Sequence, residues 1–248
     1  NGTHPFSAAA KLSIESGASI SKSRMAEILD GYYSRVVPHD AADLTGLSSK
    51  SALSKYPSWA AVLPWDTETI DEWQETVRVA ELLNNYRSKS DLTIENGWAW
   101  VGPVDEKKRM VEVYRLSSLF RSMLDHGYMR NDGPDGDIKT VLLVDENEDW
   151  VWQSVDAQHR AAVASAIGVE SIPVRVYRVI RREDVEYWPN VVRGLYSVEE
   201  ALSVFDNIFH GRFSHVTEKW DVWLKEFQSK GVSKGVSKGV SKGVSNGD

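Results

Sequence analysis

Asp156-Ala157-Gln158-His159-Arg160 stands between two stretches of opposite pattern, and its reading decides the fold. Upstream, Trp150-Val151-Trp152-Gln153-Ser154-Val155 predicts a strand over 150–155. Downstream, the small residues of 161–167 predict a helix closed by Gly168, and Ile172-Pro173-Val174-Arg175-Val176 predicts a further strand. A tight polar turn that leads from a strand into a helix N-terminus is a natural anion site. Free backbone N–H groups and the helix dipole both point at whatever sits there. Arg160 adds a planar fork suited to phosphate or carboxylate. The same polar residues would also serve as a plain helix cap, and spacing alone does not separate the two readings.

Working outward, Ile138 to Val144 is β-branched and apolar and predicts a strand, with a hairpin turn over 145–149 leading into the strand at 150. Residues 105–126 carry the longest helical signal, with Val113, Leu116, Phe120 and Met123 at spacings of three and four. His126-Gly127 ends it, the glycine as C-cap and the histidine as a dipole partner. Between these elements lies Asn131-Asp132-Gly133-Pro134-Asp135-Gly136-Asp137, dense in turn formers. Its carboxylates do not have EF-hand spacing, and no Glu closes the loop. Trp98-Ala99-Trp100-Val101 reads as a short strand stopped at Gly102-Pro103.

Toward the N-terminus, 22–36 predicts a helix with Met25, Ile28, Leu29, Tyr32 and Val36 on one face. Residues 48–58 indicate turns. Trp59-Ala60-Ala61-Val62-Leu63-Pro64-Trp65 reads as a segment docked on the core, or as a surface for an aromatic or sugar ligand. Thr69-Ile70-Asp71-Glu72 has the form of a capping box. The helix it opens runs to about Arg87, with Ile70, Trp73, Val77 and Leu82 inward and its charged residues as a solvated face. Beyond the last strand, 182–188 is a short helix broken at Pro189. Ser197-Val198-Glu199-Glu200 caps a helix with Ala201, Leu202, Phe205, Ile208 and Phe209 as its stripe, and 217–227 is another. His210 and His215 are five apart, which suits no zinc pattern. From Ser229 the chain repeats Ser-Lys-Gly-Val four times, a composition expected to be disordered.

The 248 residues can bury a sizeable core, and 42% apolar with 26% charged residues is ordinary for a globular chain. Net charge is −7; the last 20 residues hold four Lys and one Asp, which leaves the body with 25 basic and 35 acidic residues, or −10. A body this acidic is a poor partner for nucleic acid or an anionic membrane. The chain has no Cys, hence no thiolate nucleophile and no Cys-ligated zinc, which fits a reducing cytoplasm. No apolar run approaches the length of a membrane helix. The sequence begins at Asn1 rather than Met, which leaves room for a removed leader. Walker A, G-x-G-x-x-G and G-x-S-x-G patterns are absent.

The order of elements from 98 to 180 resembles the ParB/sulfiredoxin fold, the group of ParB N-terminal domains, sulfiredoxins and free serine kinases. The resemblance rests on the helix ending in His126-Gly127-Tyr128, the box Asp156-Ala157-Gln158-His159-Arg160, the small-residue helix, Gly168 and Ile172-Pro173-Val174. It implies an α+β fold with a small mixed sheet. Helical extensions would flank it: an N-terminal region over 1–97 packed on the core, the ParB-like domain over 98–180, a helical extension over 181–228 and the tail over 229–248. It also implies that the box holds nucleotide phosphates through Gln158, His159 and Arg160, with Asp156 opening the phosphate loop. Many members carry Gly where this chain has Ala157, and Ala resists the positive φ and close approach that Gly allows. The whole chain is also similar to a group of bacterial proteins sharing Thr3-His4-Pro5-Phe6, Gly102-Pro103-Val104, Gln158-His159-Arg160 and the run from Arg181 to Pro189. That likeness implies no activity.

Three readings of function follow. The first is a nucleotide-dependent phosphotransferase acting on a small molecule, using ATP or another nucleotide with Mg²⁺. Asp156 would be its metal-binding or acceptor-orienting carboxylate, and Asp105 or Glu106 its base, Glu106 being the choice carried forward. The second is a non-catalytic switch that holds a nucleotide or phosphorylated metabolite. The third is an interaction module that kept the fold and lost the ligand. The reader helix of DNA-binding ParB proteins is not evident, and nothing in the sequence names a protein partner.

Overall fold

The computed structural model describes residues 4–15, 19–130, 137–212 and 215–236, with side chains through Ser229. Its elements in order are α1 (Pro5–Leu12), α2 (Lys22–Tyr33), α3 (Ala41–Thr45), α4 (Ile70–Arg87), α5 (Glu106–His126), β1 (Ile138–Val144), β2 (Trp150–Ser154), α6 (Gln158–Ala166), β3 (Val174–Arg181), α7 (Pro189–Val192), α8 (Val198–Phe209) and α9 (Glu218–Val236). The fold is α+β, with one small mixed sheet.

The sheet has the order β2-β1-β3. β1 and β2 are antiparallel, Leu142 facing Trp152, and the hairpin between them is fixed by Asp145. Its Oδ1 accepts from the backbone N–H of Asn147 and of Asp149, both at 2.9 Å. β1 and β3 are parallel. Parallel neighbours need a crossover, and the chain uses it to place α6 against the rest of the molecule. The capping boxes form as the sequence predicts. Thr69 and Glu72 exchange bonds of 2.8 and 3.3 Å at the start of α4, and Ser197 and Glu200 exchange bonds of 3.0 and 3.2 Å at the start of α8.

Two apolar clusters hold the elements together. One joins α1, α2, α5, α6 and α9 through residues such as Phe6, Leu29, Leu116, Val163 and Trp220. The other covers one face of the sheet, where Val141, Leu143 and Ile180 meet Trp65, Trp188 and Phe205. The segment from Trp59 to Trp65 docks on that second cluster, with Ala60, Val62 and Trp65 buried. Among the described residues no helix is long and apolar enough to cross a membrane.

Several expectations need correction. Trp98 to Val101 is a turn rather than a strand, because its carbonyls are met by phenols instead of a sheet ladder. Tyr33 donates to Ala99 O at 2.8 Å and Tyr32 to Trp100 O at 2.7 Å. The next residue, Gly102, lies so close to α2 that a Cβ there would sit 1.8 Å from Tyr33 O, so only glycine fits. The last strand starts two residues later than read and runs to Arg181. The short helix after the last strand, a 3-10 turn over Arg182–Tyr187, ends before Pro189 as read, and Pro189 opens the separate α7, where its missing N–H costs nothing. Leu82 is 51% exposed, while Glu81 and Asn85 of the same helix are buried. Arg181 and Arg182, read as lying just after the last strand where they could reach a ligand or cap the sheet edge, make ion pairs with Glu148 and with Asp206. α9 continues to Val236, two Ser-Lys-Gly-Val units further than composition predicts, since extending a formed helix costs far less than starting one. Residues 1–6 read as loop from composition, but Pro5 and Phe6 open α1. The remaining units, residues 1–3 and residues 131–136 of the acidic stretch lie outside the described residues.

Candidate functional site

The helix after the box begins at Gln158, not at 161, so Gln158, His159 and Arg160 form its first turn. Its N-cap is Ala157, held in the left-handed region at φ 60° and ψ 30°. No side chain caps it. The carboxylate of Asp156 instead accepts from the N–H of Ala157 at 2.7 Å, one residue too early to serve the helix. Arg160 and Ala161 donate their N–H groups to Ala157 O. The N–H groups of Gln158 and His159 meet no acceptor among the described residues. The plain-cap alternative therefore does not hold: the first turn of α6 still offers donors and the positive end of the dipole. An L-residue pays roughly 1–2 kcal/mol for left-handed backbone. Ala157→Gly is accordingly expected to raise stability by about 1 kcal/mol or less after the glycine's extra unfolded-state entropy, read as the urea midpoint.

That helix end closes one side of a cleft of about 760 Å³ between α4 and α5. All five residues from Asp156 to Arg160 line it. Trp73, Trp98, Trp100 and Tyr114 supply aromatic walls, and Arg87, Lys89 and Arg115 add positive charge. The volume is that of an ordinary small-molecule site.

The individual residues behave differently. Asp156 is half exposed and lies 3.1 Å from Lys139 Nζ. The side chain of Gln158 makes no hydrogen bond among the described residues. Arg160 donates to Met129 O at 2.8 Å and lies over the Tyr128 ring at 4.9 Å, which fixes its guanidinium plane. Glu106 is not brought to the box. It sits exposed at the start of α5 and lines a separate, shallow hollow with Asp91, Asn96, Asp105 and Lys107.

His159 turns inward. Its Nε2 is 2.6 Å from Glu112 Oε2, and its ring stacks on Phe6 at 4.3 Å. An ionised carboxylate only accepts, so Nε2 carries the proton of this bond. Behind it is a charged network that is not apparent from the box. Glu112 also meets Lys108 at 3.1 Å and Arg115 at 2.8 Å. Lys108 Nζ donates to Glu81 at 2.6 Å and to Asn85 at 2.8 Å. Lys108, Glu112 and Asn85 are fully buried. Arg115 reaches back to Ser88 at 2.9 Å and to Asn84 O. The network ties α4 to α5 to the first turn of α6, so it sets the walls of the cleft. Its signal in the sequence is the column Lys108, Glu112, Leu116, Phe120, in which two charged residues continue an apolar stripe at i+4 spacing.

No family model matches the chain, and searches of curated proteins and of solved structures find no match either.

Among the described residues no three His, Asp or Glu converge as a metal-holding group.

Proposed function

We propose that this chain binds a nucleotide in the cleft between α4 and α5, with the phosphates against the first turn of α6. The single observation that carries the reading is that Asp156 to Arg160 all line that cleft while no side chain caps the helix. Backbone N–H groups of Gln158 and His159, the Gln158 amide and the Arg160 guanidinium are the donors to phosphate. The aromatic walls suit a base. His159 acts from behind, holding α6 in place through Glu112. Mg²⁺ would arrive with the phosphates, and Asp156 is the carboxylate of the box that would help hold it. In phosphoryl transfer to a small molecule Asp156 would be the carboxylate that orients the acceptor hydroxyl.

Calorimetric titration with ATP, ADP, CTP and GTP in Mg²⁺ tests the reading. One of them is expected to bind, and Arg160→Ala to weaken it by about 10- to 100-fold, the worth of a charge-assisted hydrogen bond. Product formation separates a phosphotransferase from a switch, which would bind without turnover. An Arg160→Ala variant with unchanged affinity overturns the proposed phosphate contact.

A further inference from the structure

α4 is apolar on two sides. One side carries Ile70, Val77 and the cleft residues Trp73 and Ala80. The other carries Val79, Leu82, Leu83 and Tyr86 at i, i+3, i+4 and i+7, exposed by 44, 51, 51 and 76%. A helix with an apolar stripe on its solvent side buries that stripe against a partner.

The charges at the two ends of the stripe specify which partner. Glu75 lies on the same face, one turn N-terminal to Val79. Lys89 follows the C-terminal end and shares a surface hollow with Tyr86. Both side chains are exposed, and neither has an ion-pair or hydrogen-bond partner among the described residues. The stripe is thus negative at one end, apolar in the middle and positive at the other. Such a surface is complementary to itself when turned end for end. A parallel copy would set like charges together.

We infer that α4 is a self-association surface, on which a second copy of this chain packs antiparallel. In that register Val79 meets Tyr86 of the partner subunit, Leu82 meets Leu83 of the partner subunit, and Glu75 lies by Lys89 of the partner subunit. The apolar area covered is roughly 1,000 Å² in all, at the low end for a specific interface. Pairing is therefore expected to depend on concentration. The opposite side of α4 is a wall of the cleft and Lys89 borders its rim, so pairing lies beside the cleft and steadies that wall.

Sedimentation velocity across a concentration series reads the result. The full chain is expected to pass from one copy to two. Leu83→Asp is expected to weaken pairing by about tenfold or more, with unchanged circular dichroism because the residue is exposed. Glu75→Lys weakens pairing alone, and Glu75→Lys combined with Lys89→Glu restores it. That second pair of variants decides the matter should Leu83→Asp fail to fold. One copy at every concentration overturns the inference, as does a dimer indifferent to Leu83→Asp. A double reversal that does not restore pairing overturns the antiparallel register.

Discussion

Lys108→Met is expected to destabilise the protein by about 3–5 kcal/mol, the cost of removing one partner from a buried ion group. The three N–H donors of the Lys108 ammonium meet Glu81, Asn85 and Glu112, so none is spare. Methionine has a similar length and leaves two buried carboxylates without their shared cation. For a chain of this size the loss lowers the melting temperature by about 6–20 °C. Lys107→Met, one residue away and exposed, should change stability by about 0.5 kcal/mol at most. Equal effects from the two variants would mean that the network does not join α4 to α5.

Acid is expected to reveal the same network from the other side. Burial alone pushes the Glu112 carboxyl up, but the His159 hydrogen bond and the attraction of His159, Lys108 and Arg115 outweigh it. They hold the group down to about 2, against an ordinary 4.5. A carboxyl depressed by folding contributes its full stability above its unfolded value and loses it as pH falls through the folded one. The window is therefore about pH 5 down to pH 2, and the contribution is roughly 3 kcal/mol. Urea denaturation followed across that window should show the wild-type protein losing this increment. Glu112→Gln starts less stable and should lose less over the same range. A variant with the wild-type slope would place the acid sensitivity elsewhere.

The comparison of these two residues with the box shows what the sequence could and could not reveal. β1 has the limits read from its β-branched run, and α4 and α8 start where their capping boxes put them. Those signals are local, carried by residues within four positions of one another. Leu82 was read inward as one of the apolar residues of α4, whereas the inward positions are taken by Glu81 and Asn85. Their partner, Lys108, is 27 and 23 residues away, and no periodicity encodes that distance. Trp98 to Val101 has strand composition, but phenols from α2 satisfy its carbonyls, again across a long separation. The box is legible as a place: its five residues do share one cleft. Its division of labour was not. His159, read as a phosphate contact beside Gln158 and Arg160, lines the cleft and also reaches back to Glu112 and Phe6, a pairing the box did not show. Ala157 was read as resisting positive φ, yet it adopts φ 60° at the turn into α6.

That strained turn and the donors beyond it make the central claim directly measurable. Thermal unfolding should be followed with and without ATP, ADP, CTP and GTP in Mg²⁺. A ligand that binds only the folded chain must raise its stability, by about 2.7 kcal/mol at a hundred times its dissociation constant. The account predicts a rise in melting temperature with one nucleotide that Arg160→Ala reduces. No rise with any of the four, or a rise that Arg160→Ala leaves intact, would contradict it.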